Sequence, residues 1–346
     1  MDARAPLGRS VTVTRRGGRR GGMVALLAMA LLHPTPAGAH GMVGQRFFPA
    51  TLTIDDPFVA DELSLPTVQS VRRKSADDLA GWETEISAEL SKRLSRNFGL
   101  SLAGTLLVED PMRGPTIGGF DNLAVSAKYV FWHDPAHELL VSAGVEAEVG
   151  GTGQKRIGAE SVSVVSPQIF FGKGMGDLSD ALEWLRPVAI TGAFGLGLPT
   201  SAYTKIKTVG DDGEVDVEEE KNNRDIEWGF SLQYNLQYLQ SFVRDVGLTA
   251  PLNRTIPIVE FAMDSAVQGQ GHTSGTINPG VLWFGRYMQL GLEAVVPING
   301  NASLGERKQG QVGCIAQVHF YIDDIWPEVF TWTPFSGVLG PTQPQS

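Results

Sequence analysis

The chain has 346 residues, 42% of them hydrophobic, with a mean hydropathy of −0.04. Those values argue against a disordered chain and against a bundle of membrane helices, but not against a barrel, whose strands alternate apolar and polar residues. Its net charge of −10 does not suit a phosphate backbone, which calls for clustered Lys and Arg, and a single cysteine, Cys314, excludes an intramolecular disulfide and a thiolate metal site.

Six arginines (Arg4, Arg9, Arg15, Arg16, Arg19, Arg20) precede an apolar run from Met23 to Leu32, and small residues follow at Ala37-Gly38-Ala39. The pattern predicts a Sec-type signal peptide over residues 1–39, cut after Ala39, and hence export. The apolar run is too short to span a bilayer as a helix. Residues 40–62, with Pro49 and Pro57 interrupting any strand, read as a periplasmic N-terminal segment that could tuck into a barrel mouth. The segment 63–73 is a poor strand, broken by Pro66.

From Gly81 a two-residue alternation begins. Trp82, Thr84, Ile86, Ala88 and Leu90 share one face; Phe98, Leu100, Leu102, Leu106 and Val108 form the next, then Leu123 to Phe131 and Leu139 to Val149. A less regular strand over 161–171 carries Pro167, a short helical turn is expected near 178–185, and Val188 to Leu198 returns to the pattern. Residues 199–224 form the longest loop, acidic from Asp211 to Glu220.

Ile226 to Tyr238 alternates most strictly: Ile226, Trp228, Phe230, Leu232, Tyr234, Leu236 and Tyr238 against Glu227, Gly229, Ser231, Gln233, Asn235 and Gln237. A strand sends successive side chains to opposite faces, so this stretch has one apolar and one polar face. It exceeds the about 5–6 residues usual in globular proteins and meets the roughly 9–11 a membrane strand needs. Strands around Val259, over 278–285, over 288–298 and over 312–322 follow. Short connections alternate with long glycine-rich or charged ones, as short periplasmic turns and longer outer loops do in outer-membrane barrels. Aromatic residues gather near strand ends: Trp132, Phe170, Phe171, Trp184, Tyr238, Phe242, Trp283, Phe284 and Tyr287 at one, Trp82, Phe120 and Trp228 at the other.

The sequence therefore predicts an all-β fold: a transmembrane antiparallel up-and-down β-barrel of about 12 strands over residues 63–325, with a periplasmic tail over 326–346. A soluble periplasmic β-sandwich is the competing fold. The closing Val318-His-Phe-Tyr-Ile-Asp-Asp-Ile and the run of alternating strands resemble the group of proteobacterial outer-membrane barrels that includes the MetA-pathway phenol-degradation proteins. The resemblance covers roughly residues 63–325, and implies a barrel linked to the passage of small, aromatic compounds. It carries over no site residues. The terminal aromatic of many such barrels is missing, since the chain ends Gln-Pro-Gln-Ser.

The polar faces carry Glu83, Glu85, Glu146, Glu148, Glu227, Gln233, Glu260, Asp264, Glu293 and His319, against Lys128. These are the candidate lumen residues. An acidic lumen favours cations; the alternative is that these groups hydrate a packed interior, paired with bases not evident in the sequence. His133 and His137 flank a turn and so do not read as a metal pair, Gly172 to Gly176 lacks the Gly-Lys-Ser/Thr ending of a phosphate loop, and no Gly-x-Ser-x-Gly is present. No catalytic residue, cofactor or metal is expected. The expected function is a channel or transporter in the cell outer membrane passing small molecules, hydrophobic, aromatic or cationic. A non-conducting structural barrel is second and an outer-membrane enzyme third. The expected partners are the lipid bilayer, the outer-membrane assembly machinery and a small solute, with no nucleic acid.

Overall fold

A computed structural model describes residues 41–75, 81–209, 215–267, 273–298, 308–330 and 332–335. Residues 1–39, read as a signal peptide, and 211–214 of the acidic run lie outside the described residues.

Twelve strands make the barrel wall: β1 (Glu62–Ser75), β2 (Gly81–Arg93), β3 (Phe98–Pro111), β4 (Leu123–Asp134), β5 (Leu139–Val149), β6 (Val164–Gly174), β7 (Val188–Pro199), β8 (Asp225–Tyr234), β9 (Thr255–Ala266), β10 (Thr273–Phe284), β11 (Met288–Pro297) and β12 (Lys308–Tyr321). Each pairs antiparallel with its sequence neighbour, and β12 pairs with β1 from Tyr321↔Glu62 to Lys308↔Ser75. That last ladder closes the sheet, so no strand is left with an unpaired edge. The weak segment at Pro66 is thus a full strand. Its register shifts between Ser64 and Thr67 against β2, a bulge that accommodates the proline's missing N–H.

The outer surface is inverted relative to a soluble protein. Leu102, Phe194 and Leu292 are each at least half exposed, and Leu100, Val125, Phe230, Leu232 and Leu290 are exposed on the same face. Polar side chains of the opposite parity, among them Ser231, Gln233, Glu260 and Asn278, are wholly or almost wholly buried. A continuous apolar exterior around a polar interior matches a wall that faces hydrocarbon on one side only.

One end of the barrel, the turn end, carries the connections at 94–97, 135–138 and 285–287, and both ends of the strand set. The 175–187 connection holds the expected helical turn at Asp180–Leu185. The loop end holds the connections at 112–122, 150–163 and 200–224, the last folded in part into a hairpin of Tyr203–Val209 with Val215–Lys221 where the sequence predicts a loop, while the 235–254 connection is a long one at the turn end.

Two expectations are corrected. The strictly alternating stretch ends as a strand at Tyr234 rather than Tyr238, because the Asn235 side chain accepts the Tyr238 backbone N–H at 2.9 Å and caps a helical turn, Leu236–Tyr238. Tyr238 is consequently buried and does not join the aromatic belt. Phe170 and Phe284 also leave the belt: both take lumen parity and are buried. Trp132, Trp184, Phe242, Trp82 and Phe120 remain exposed near strand ends.

Candidate functional site

The lumen is filled by residues 41–61. Pro49 and Pro57 keep this segment out of the sheet, so its backbone donors must find partners elsewhere. Leu52 N and Thr53 N donate to the Glu260 carboxylate at 3.2 and 2.7 Å. Asn278 Nδ2 donates to Thr53 Oγ1 at 2.8 Å, and Gln289 Nε2 to the Ala50 carbonyl at 2.6 Å. On the other side of the barrel, Lys128 Nζ reaches Asp55 Oδ1 at 2.8 Å and the Asp56 carbonyl at 2.6 Å, and Ser142 Oγ donates to the Pro57 carbonyl. The wall's polar face thus substitutes for a strand partner.

Apolar contacts seat the same plug. Leu52 packs with Ile256, Ile258, Leu282 and Val295, and Phe48 with Val130, Leu140 and Ala189. Burying a leucine or phenylalanine side chain contributes roughly 1.5–3 kcal/mol. Glycine makes the room: a Cβ at Gly291 would lie 2.5 Å from Leu52 Cδ1, and one at Gly229 would lie 2.9 Å from Ile54 Cδ1.

The plug runs as a loop from the turn end up to an apex at Ile54–Asp56 and back. At its base Arg46, fully buried, pairs with Glu138 and donates to the Pro187 carbonyl at 2.9 Å, while its guanidinium lies 3.8 Å from the Tyr238 ring centroid. Asp61, also fully buried, takes Lys92 at 2.6 Å and Arg93 at 3.5 Å. The plug is therefore clamped at both roots by ion pairs, the first wholly buried and the second joining buried Asp61 to partly exposed bases. The segment expected in the periplasm or tucked into the barrel mouth runs deep inside the barrel, where the wall's polar groups and glycines hold it.

Burial shifts the plug's own ionisable groups. It pushes the Asp56 carboxyl up to about 7, with Lys128 opposing the shift and Glu62 and Asp55 adding to it. Burial also lowers Arg46, against the pull of Glu138 and Tyr238, and raises the Tyr238 phenol to about 12, reinforced by Glu138.

Two cavities remain beside the plug. A vestibule of about 450 Å³ opens toward the loop end above the apex, with Ile54, Val71, Phe170, Ala193, Gly195 and Ala262 as an apolar floor and Glu146, Glu227 and Asp264 among its acids. A second cavity of about 360 Å³ runs along the plug toward the turn end, past Lys128, Glu89, His319 and hydroxyls of Ser64, Thr67, Ser87, Ser91 and Ser101. The two share Thr53, Ile54, Asp55 and Glu146. Their common wall is the plug apex.

The candidate lumen residues fall into distinct settings along this interior. Glu146, Glu227 and Asp264 line the vestibule, and Glu227 stands opposite Asp264 in the β8–β9 ladder. Neither has an ion-pair partner among the described residues. Glu83 is paired with Arg73, and Glu85 lies in register with Gln69 of the vestibule wall. Glu148 accepts from Asn122 at 2.9 Å near the loop end. Gln233 donates to Ser231 Oγ at 2.8 Å within a buried hydroxyl group that includes Thr191. His319 contacts Ser64 at 2.8 Å and Glu62 at 3.3 Å. Lys128 stacks over Phe170 at 4.5 Å as well as holding the apex, and Glu260 and Glu293 lie under the plug. Sequence reasoning missed Arg46, Asp55, Asp56 and Asp61, because charges on an irregular segment carry no periodic signal. The signal that could have found them is the pair of prolines fencing off an acidic stretch, set against glycines on the polar strand faces.

No family model matches the chain, and no curated protein sequence matches it. Solved structures do. The COG4313 outer membrane channel from Pseudomonas putida F1 superposes with a TM-score of 0.52 at 11% identity, over 80% of this chain and 99% of that one. This is an outer-membrane β-barrel fold. The NanC porin also matches, with a TM-score of 0.43 at 8% identity over 74% of this chain and 98% of that one, as does the KdgM porin, with 0.39 at 10% and the same coverage. At these identities the likeness is one of fold.

Proposed function

We propose that the protein is a plugged channel of the outer membrane that passes small solutes through the passage beside its N-terminal plug. The observation that carries this reading is the sharing of Thr53, Ile54, Asp55 and Glu146 by the loop-end vestibule and the cavity alongside the plug. A solute entering from the loop end meets the plug apex as the neck between the two. On the rule that periplasmic turns are short and outer loops long, the loop end faces outward and both roots of the plug lie at the periplasmic end.

Charge selects at the vestibule. Glu146, Glu227 and Asp264 concentrate cations where the low-dielectric wall focuses their field. The apolar floor of Ile54, Val71 and Phe170 accommodates a hydrophobic or aromatic body. That supports small cations and compact aromatic solutes as cargo, the latter also implied by the resemblance to the phenol-degradation group. Planar-bilayer recording of the purified protein tests the reading: small, cation-preferring conductance is expected, and a silent bilayer would favour the structural barrel.

A further inference from the structure

Beneath the plug, the wall of β9, β10 and β11 carries a buried acid pair with no base to answer it. Glu260 and Asn278 are directly paired across β9–β10, and Glu293 is paired with Gly280 across β10–β11. Exposure is 0% for Glu260 and Asn278 and 2% for Glu293. Among the described residues no Lys, Arg or His forms an ion pair with either glutamate. Both Glu293 oxygens and Asn278 Oδ1 are buried without a hydrogen-bond partner. Buried charge is costly unless it is paired or coordinates a metal, and a buried acceptor without a partner costs the full desolvation of that group.

A single proton shared between the two carboxyls would supply one donor. It would leave a second Glu293 oxygen and the Asn278 oxygen unanswered, with one buried negative charge served by the two plug amides but by no cation. A divalent cation between the carboxylates would answer both charges, and Asn278, paired with Glu260 across the ladder, stands beside it as a further oxygen donor. The donors are all hard oxygens, two carboxylates and an amide, which is the ligand chemistry of calcium and magnesium. Gly280 is what lets Glu293 lie in this position, since a Cβ there would collide with the Glu293 side chain.

We infer that Glu260, Glu293 and Asn278 form a divalent-cation site of the calcium class that locks the plug in the barrel. The link to the plug is direct: Glu260 accepts from Leu52 N and Thr53 N, and Asn278 donates to Thr53. An ion that neutralises the acid pair fixes the two side chains that hold the plug backbone. Two carboxylates fall short of a full cage, so water completes the coordination. The inference concerns what holds the plug, and stands whether or not the barrel conducts.

The test is isothermal titration of calcium chloride into full-length protein in detergent, freed of metal with EDTA, together with thermal melts in EDTA and in excess calcium. The wild type is expected to bind calcium saturably and to melt at a higher temperature in calcium. Glu293→Gln, which keeps the shape of the side chain, should weaken binding about tenfold or more through loss of one ligand charge. Asn278→Asp should tighten it, a change in the opposite direction that misfolding cannot imitate. Calcium binding of equal affinity in the wild type and in Glu293→Gln would place the ion elsewhere on the protein and overturn the inference. Melting that responds to pH but not to calcium would show a shared proton in place of the metal, and would overturn it equally.

Discussion

Arg46 of the plug and Glu138 of the β4–β5 turn form a buried ion pair, with Nε and Nη2 each 3.1 Å from Oε2. Glu138 holds a left-handed backbone conformation at φ 49, and its carboxylate also accepts the Gly176 N–H at 3.1 Å. One root of the plug is thereby joined to two turn-end connections at once. Breaking a buried pair by removing one partner costs about 3–5 kcal/mol, because the other charge is left without compensation. Arg46→Ala should therefore loosen the plug, seen as faster proteolysis within residues 41–61 and a larger conductance. Removing both partners together should cost less than the sum of the two single changes.

Asp56 gives the plug a pH response of defined sign. Its carboxyl is raised to about 7 when the plug is seated, above the ordinary aspartate value it would regain if the plug left the barrel. A raised carboxyl stabilises the seated state fully below its ordinary value, and that contribution is lost as pH rises through about 7. Plug protection from protease should fall between acidic and neutral pH in the wild type. In Asp56→Asn that dependence should flatten.

Lys128 borders the plug apex, bonded to Asp55 and the Asp56 carbonyl and stacked on Phe170. Lys128→Gln removes a positive charge from beside the plug apex, so cation preference should increase in a salt-gradient reversal potential. Because the same change frees Asp55, the open-channel current should also become noisier.

Glu227 and Asp264 face each other across a ladder with no base between them, an arrangement of like charges that costs stability. Each carboxylate about 4 Å from a passing ion in water attracts it by about 1 kcal/mol, a factor of about five in local concentration. The double change Glu227→Gln, Asp264→Asn should lower cation preference measurably and raise the melting temperature slightly.

The wall was legible in the sequence because a barrel writes its architecture in a period of two, and lipid on one side with a polar lumen on the other keeps that period clean over each strand. Even the strand at Pro66, which breaks the pattern, is legible as a poor one. The 235–243 region was not: Leu236 and Tyr238 continue the alternation, and only the Asn235 cap turns the chain into a helix. Phe170 and Phe284 misled for a different reason. An aromatic near a strand end belongs to the belt only if its parity faces lipid; Phe284 packs against Phe47 of the plug, and Phe170 lies in the lumen under Lys128. The two prolines hint that residues 40–62 enter the barrel mouth, but not where they bind, since each contact joins residues far apart in the chain, such as Thr53 with Glu260 or Arg46 with Glu138. What the sequence did show was the demand on the other side of those contacts, an excess of carboxylates on the polar faces.

Residues 41–61 lie in the lumen, in the way of any solute that crosses the barrel. Single-channel conductance in planar bilayers tests this most directly, with the full chain compared against a variant that lacks residues 41–60 but keeps Asp61 and its anchor to Lys92. Small currents are expected from the full chain and a conductance several times larger from the variant, with cation preference retained. Equal conductance in the two would contradict it.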